Sequence, residues 1–164
     1  ELAALSPATL YAIANAHWRL LDMPRAAQSA RLRVFNPPLA EDGFVSEHTV
    51  VQIVNDNMPF LVDSVTMAVN RGNRTAHWIV HPLMLVVRDA QGKVVTVQSV
   101  AAATAGGQKG SIESLILVEC DRIVGKAEQQ ALADELDSVL GDVRSAVQDW
   151  HAMQERVQAV ASAS

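Results

Sequence analysis

A chain of 164 residues, about half of them apolar, with a net charge of −5, fits one globular domain with a core of its own and room for an appendage. The balance is mildly acidic and lacks a basic stripe, which argues against a nucleic-acid partner. No apolar run approaches the ~18 residues that a membrane span needs. The single cysteine, Cys120, excludes an internal disulfide and reads as a cytoplasmic context.

The chain opens on Glu1 with no signal-peptide pattern, and is expected to be a piece of a longer polypeptide. Ser6-Pro7 marks a helix start, a capping hydroxyl followed by Pro at the first helical position. Leu10, Ile13, His17, Leu20 and Leu21 follow at helical spacing, and Pro24 stops the run. RLRVF at 31–35 alternates as a short strand, and Asn36-Pro37-Pro38 begins a loop to residue 48. TVVQIV at 49–54 reads as a buried strand. A helix is expected from Pro59 to Arg71, with Leu61, Val65, Ala68 and Val69 inward and Gly72 as its left-handed cap. Residues 75–88 form a long extended run. Pro82 inside it cannot donate to a ladder, so an edge position or a bulge is expected there. DAQGK at 89–93 is a turn, and 94–97 returns as a hairpin partner. The Ala- and Gly-rich stretch 99–111 reads as a mobile loop, and 113–122 as another strand.

A long helix is expected from about Ala127 to Val160. Leu132, Leu136, Val139, Val143, Ala146, Trp150, Met153 and Val157 recur in a heptad rhythm. At about 1.5 Å per residue, its second half should outrun a sheet of short strands. Something must then cover Trp150, Met153 and Val157: the N-terminal helix, a partner subunit or another part of the polypeptide. The expected organisation is an N-terminal helical extension over 1–30 and a domain over 31–164. The order β-α-β-β-α within it implies an α+β fold, a ferredoxin-like antiparallel sheet with helices on one face. The last strand of that plan is missing after the long helix, and 31–35 can fill the vacant edge.

Few residues carry chemistry. His77 and His81 are four apart on a strand, about 13 Å, too far to share one metal ion. AGGQKGS lacks the phosphate-loop spacing, and no GxGxxG follows a strand, so no nicotinamide site is expected in this chain. Cys120 lies in a strand-like run, as a buried thiol does. The densest polar cluster is NDNMPFLVDS at 55–64, where Asn55, Asp56, Asn57, Met58 and Phe60 join a strand to a helix. Asp56 or Asn57 can cap the helix, and Asp63 favours its positive end. Alternatively the turn holds a ligand, and a free α-amino acid is the class that matches its mixed polarity.

The stretch 50–82 resembles an ACT domain, a small regulatory module that often binds amino acids. That family carries Asp, one residue, then Pro-Gly-Leu at this joint. Here an extra residue precedes Pro59, and Phe60 stands where the family has Gly. Four blocks, DNMPFLVDSVTMAVNR, IVHPLMLVVRDAQG, ESL…VECDR and DVRSAVQDWHAM, are similar in content and order to the N-terminal region of large bacterial NAD-specific glutamate dehydrogenases. The resemblance implies an ACT-like fold with the N-terminal and long C-terminal helices added. It implies a regulatory or architectural domain with no catalytic, NAD-binding or metal residue in this chain. In that family NAD and the conversion of L-glutamate to 2-oxoglutarate belong elsewhere in the enzyme. The expected partners are other domains or subunits of the enzyme, in a homo-oligomer, with Trp150, Met153 and Val157 at the interface. The alternative expectation is an amino-acid effector held by Asn55, Asp56, Asn57, Met58 and Phe60.

Overall fold

The computed structural model describes residues 4–162 except 108, without the side chains of 151 and 160–162. In chain order the elements are α1 (Pro7–Asp22), β1 (Arg31–Phe35), α2 (Leu39–Asp42), β2 (Thr49–Asp56), α3 (Leu61–Val69), β3 (Ala76–Val80), β4 (Leu83–Arg88), β5 (Val94–Ser99), α4 (Val100–Gly106), β6 (Ser111–Cys120) and α5 (Lys126–Ser162). Six strands form one antiparallel sheet in the order β1-β2-β6-β4-β5, with β3 also against β6. This is the α+β, ACT-like fold expected, with α1 and the long α5 added. β1 occupies the edge beside β2, so a strand at the start of the domain supplies what the plan lacks after its last helix.

The two faces of the sheet are covered differently. Alternation puts Val51, Ile53, Ile116, Val118 and Cys120 on one face, where they pack with Leu61, Val65, Ala68 and Val69 of α3 and Leu132, Leu136 and Leu140 of α5. On the other face Ile13, Ala16, Leu20 and Leu21 of α1 cover Phe35, Val50, Val54, Leu115, Leu117 and Val86. Ser6 Oγ accepts from Thr9 N at 3.1 Å and fixes the start of α1. The turn from β6 into α5 is pinned by a closed polar group. Thr49 Oγ1 donates to Asn36 Oδ1 at 2.7 Å and accepts from Ile123 N at 2.7 Å, while Gln129 Nε2 and Asn36 Nδ2 donate to the Ile123 carbonyl.

Three expectations change, and the one at Pro82 is met in one of its two alternatives. The stretch expected to be a mobile loop contains α4, capped by Ser99 Oγ, which accepts from Ala102 N at 3.3 Å. VAAATA is rich in the best helix former, and that outweighs its lack of apolar periodicity. The loop after β1 likewise holds the short α2. At Pro82 the edge alternative holds, since β3 pairs with β6 alone, and there is neither a bulge nor a break in register. Val80 faces Leu117 and Leu83 faces Ser114, so β3 and β4 run as one line beside β6. Pro82 contributes only its carbonyl, accepting from Leu115 N at 3.1 Å, at the point where that line passes from edge to interior. Finally, α3 ends at Val69 and a 3-10 turn, Arg71–Asn73, follows it.

Candidate functional site

The turn singled out in the sequence is split between the two faces by strand alternation. Asn55 points to the α3–α5 side, where its Oδ1 accepts from Arg144 Nη2 of α5 at 3.0 Å and its Nδ2 donates to the Asp56 carbonyl at 2.9 Å. Asn57 Oδ1 accepts from Ser114 Oγ at 3.0 Å, and its backbone N–H donates to the Ile112 carbonyl. Neither Asp56 nor Asn57 caps α3, contrary to expectation. The capping position is Phe60, whose side chain makes no capping bond. Phe60 holds φ +64° and is 71% exposed, while Met58 packs at the margin of the core. Phe60 thus holds a left-handed backbone that Gly would adopt freely, at a steric cost of about 1–2 kcal/mol.

Asp56 points to the opposite face and joins a buried ion network that the sequence does not announce. Arg25 Nη2 lies 2.6 Å from Asp56 Oδ1 and 2.8 Å from Glu113 Oε1. Arg88 Nε is 2.8 Å from the same Glu113 oxygen, and Arg88 Nη2 donates to Glu113 Oε2 at 3.0 Å. The Arg25 and Glu113 side chains are 2% and 0% exposed. Burial works against the Arg25 charge, yet the hydrogen bonds and field of Asp56 and Glu113 outweigh it and hold its pKa above the ordinary value. Arg88 also donates to the carbonyls of Leu21, Met23 and Gly92, and Gln28 N donates to Asp56 Oδ2 at 2.9 Å. The network thus ties the α1–β1 linker to the end of the sheet. Gly92 permits this: a Cβ there would lie 2.3 Å from the Arg25 carbonyl oxygen, and its φ is +77°. A cavity of about 660 Å³ opens at this place, lined by Arg25, Arg31, Asp56, Arg88, Asp89 and Glu113 among others.

Two histidine positions differ sharply. His17 is buried under α1 with Nε2 3.1 Å from the Ile53 carbonyl, and burial pushes its pKa down to about 4 against the opposing effect of that hydrogen bond. His77 Nε2 lies 2.8 Å from Asp121 Oδ1 and its ring stacks on His48 at 4.1 Å, while burial lowers the pKa of His81. Among the described residues no group of three His, Cys, Asp or Glu side chains is placed to hold a metal ion. Cys120 is fully buried, and burial raises its thiol pKa to about 11, which makes it a poor nucleophile.

The second surface is α5. Its stripe buries Leu132, Leu136 and Leu140 against α3 and the sheet, then continues outward as Trp150, Met153 and Val157, which are 56%, 54% and 68% exposed. The N-terminal helix, one of the covers considered for them, packs on the opposite face of the sheet.

Residues 1–136 match the family model described as glutamate dehydrogenase, ACT1 domain. Among curated proteins, the chain is 36% identical over 132 residues to an NAD-specific glutamate dehydrogenase of Halomonas elongata, covering 80% of the chain and 8% of that relative. It is 34% identical over 141 residues to an NAD-specific glutamate dehydrogenase of Pseudomonas aeruginosa, covering 86% of the chain and again 8% of the relative. No solved structure matches. The chain therefore spans a small part of the length of these relatives, and it belongs to the glutamate dehydrogenase ACT1 domain family.

Proposed function

We propose that this chain is a non-catalytic interaction module of an NAD-specific glutamate dehydrogenase, one that holds domains or subunits of the enzyme in place. The oxidation of L-glutamate to 2-oxoglutarate with NAD would be carried by residues outside it. The observation that carries this reading is the apolar stripe of α5. It leaves the sheet with Trp150, Met153 and Val157 still in the heptad register of the buried Leu132 and Leu136. A surface stripe of that kind marks a contact with another protein surface. Phe60 supports the same reading, since a strained and exposed aromatic residue stands where Gly would relax the backbone. The single buried cysteine suits the cytoplasm, and a homo-oligomer supplies the repeated surfaces such a module would join.

The test is a pair of charge insertions, Trp150→Glu with Val157→Glu, in the full-length enzyme. Both positions are exposed in this domain, so its own fold should be unaffected. The expected outcome is a loss of assembly, seen as a lower mass by light scattering. An enzyme of unchanged mass and unchanged thermal stability would overturn the reading.

A further inference from the structure

We propose that the open edge of β1 takes an added β-strand from another part of the same enzyme, outside these 164 residues, and that the side chains of this strand alternate acidic and basic. The inference rests on the interaction-module reading and deepens it, by naming the kind of segment that one surface accepts.

The starting observation is a strand paired on one side. β1 is hydrogen-bonded to β2 and ends the order of the sheet. In an antiparallel ladder every second residue turns its N–H and C=O away from the partner strand. Those groups lie along a groove of about 540 Å³, with Leu20 and Met23 of α1 on one side and Ala133, Asp134 and Asp137 of α5 on the other. Edge strands are commonly guarded by Pro or by charges that project over the edge. Residues 31–35 contain no Pro, and the two arginines are folded back. Arg31 donates through Nε and Nη2 to the Pro24 carbonyl. Arg33 Nη1 lies 3.1 Å from Asp42 Oδ1, and its guanidinium lies 3.5 Å over the Phe35 ring.

The two walls of the groove carry opposite charge. Leu32 and Val34 pack toward the α3–α5 core, so alternation turns Arg31 and Arg33 to the α1 side. There Arg19 and Arg33 share the carboxylate of Asp42, and among the described residues Arg31 pairs with no carboxylate. That side therefore holds an excess of positive charge. On the α5 side Asp134 and Asp137 are exposed, and Asp134 accepts from the neutral Gln130 Nε2 at 2.8 Å. Successive side chains of a strand laid along β1 point to these two walls in turn. Acidic residues then meet the arginines, and basic residues meet the aspartates. A second copy of this chain does not fit. Any two-fold pairing of β1 with itself sets each wall beside its own image, like charge against like. The relatives that this chain matches are far longer, the match covering 8% of each, and a polypeptide of that kind carries the sequence to supply such a strand.

The experiment follows hydrogen exchange of residues 31–35 in the chain alone and in the full-length enzyme. The expected result is exchange at least about tenfold slower in the full-length enzyme. Asp134→Lys with Asp137→Lys changes two exposed positions, so it should keep the fold and return the rate to that of the chain alone. The peptide Glu-Lys-Glu-Lys-Glu-Lys, added to the chain, should slow exchange at 31–35 more than Glu-Glu-Glu-Lys-Lys-Lys does, which has the same composition without the alternation. Equal exchange in chain and enzyme would overturn the proposal, as would protection that survives the double variant or equal effects of the two peptides. Protection that grows with the concentration of the chain alone would overturn it in favour of a second copy. Failure here is distinguishable from failure of the interaction-module reading, because Trp150→Glu with Val157→Glu reads the mass of the assembly whereas exchange at 31–35 reads the edge.

Discussion

At the scale of single residues, three positions depart from what ordinary stability would choose. Glu113 is fully buried between two guanidinium groups. Glu113→Ala removes the shared partner and leaves Arg25 and Arg88 without it, so a loss of about 3–5 kcal/mol is expected in urea unfolding. Gln52 is fully buried beneath α1, and neither its Oε1 nor its Nε2 has a partner. Gln52→Met keeps the shape and removes the unpaired amide. It is expected to stabilise the fold by about 1–3 kcal/mol; an unchanged denaturation midpoint would mean that water satisfies the amide. Phe60→Gly should stabilise by about 1 kcal/mol, because Gly takes φ +64° without the Cβ clash. None of the three follows from residue type: Gln52 and Glu113 announce polarity, and only the neighbours across the sheet decide whether that polarity is paired.

At the scale of elements, α1 is the part whose attachment depends on pH. The folded-state pKa of His17 is lowered from 6.5 to about 4, so between these values the unfolded chain binds the extra proton. Stability should be complete above pH 6.5 and should fall as pH drops through this window, by up to about 3 kcal/mol near pH 4. His17→Leu is expected to flatten that part of the profile in urea titrations run from pH 7 to 4. The periodic helices α1, α3 and α5 were legible because an apolar stripe at helical spacing has few alternatives. The helix α4 was not, since its Ala-rich run carries propensity without a stripe. The course of residues 76–88 past Pro82 was half legible: Pro excludes a donor, but only the position of Leu115 shows that a carbonyl suffices there.

At the scale of the whole molecule, one sheet carries two unlike faces. The α3–α5 face is the ACT-like core, and the α1 face adds a second, thinner layer tied down at Arg25, Asp56, Arg88 and Glu113. Gly92→Ala tests that tie. A Cβ 2.3 Å from the Arg25 carbonyl oxygen, at φ +77°, must push the linker away. The expected result is a loss of more than about 2 kcal/mol, with faster amide exchange in α1 than in α3. Uniform exchange across both layers would show instead that α1 is held by its apolar contacts alone.

The strands and the helices α1, α3 and α5, with their order, follow from the chain alone, because period, caps and Pro are local properties, whereas α2 and α4 carry no such signal. The sequence also indicated that 31–35 could fill the vacant edge, and that the stripe on α5 outlasts the sheet it covers. Only the tertiary structure decided which face each residue of the NDN cluster joins. It alone placed Arg25, Arg88 and Glu113 around Asp56, although they lie 31, 32 and 57 positions from it in the chain. Ion pairing of that kind depends on the register of β2 against β6 and of β6 against β4, and register is fixed by the packed core, not by the residues that it brings together.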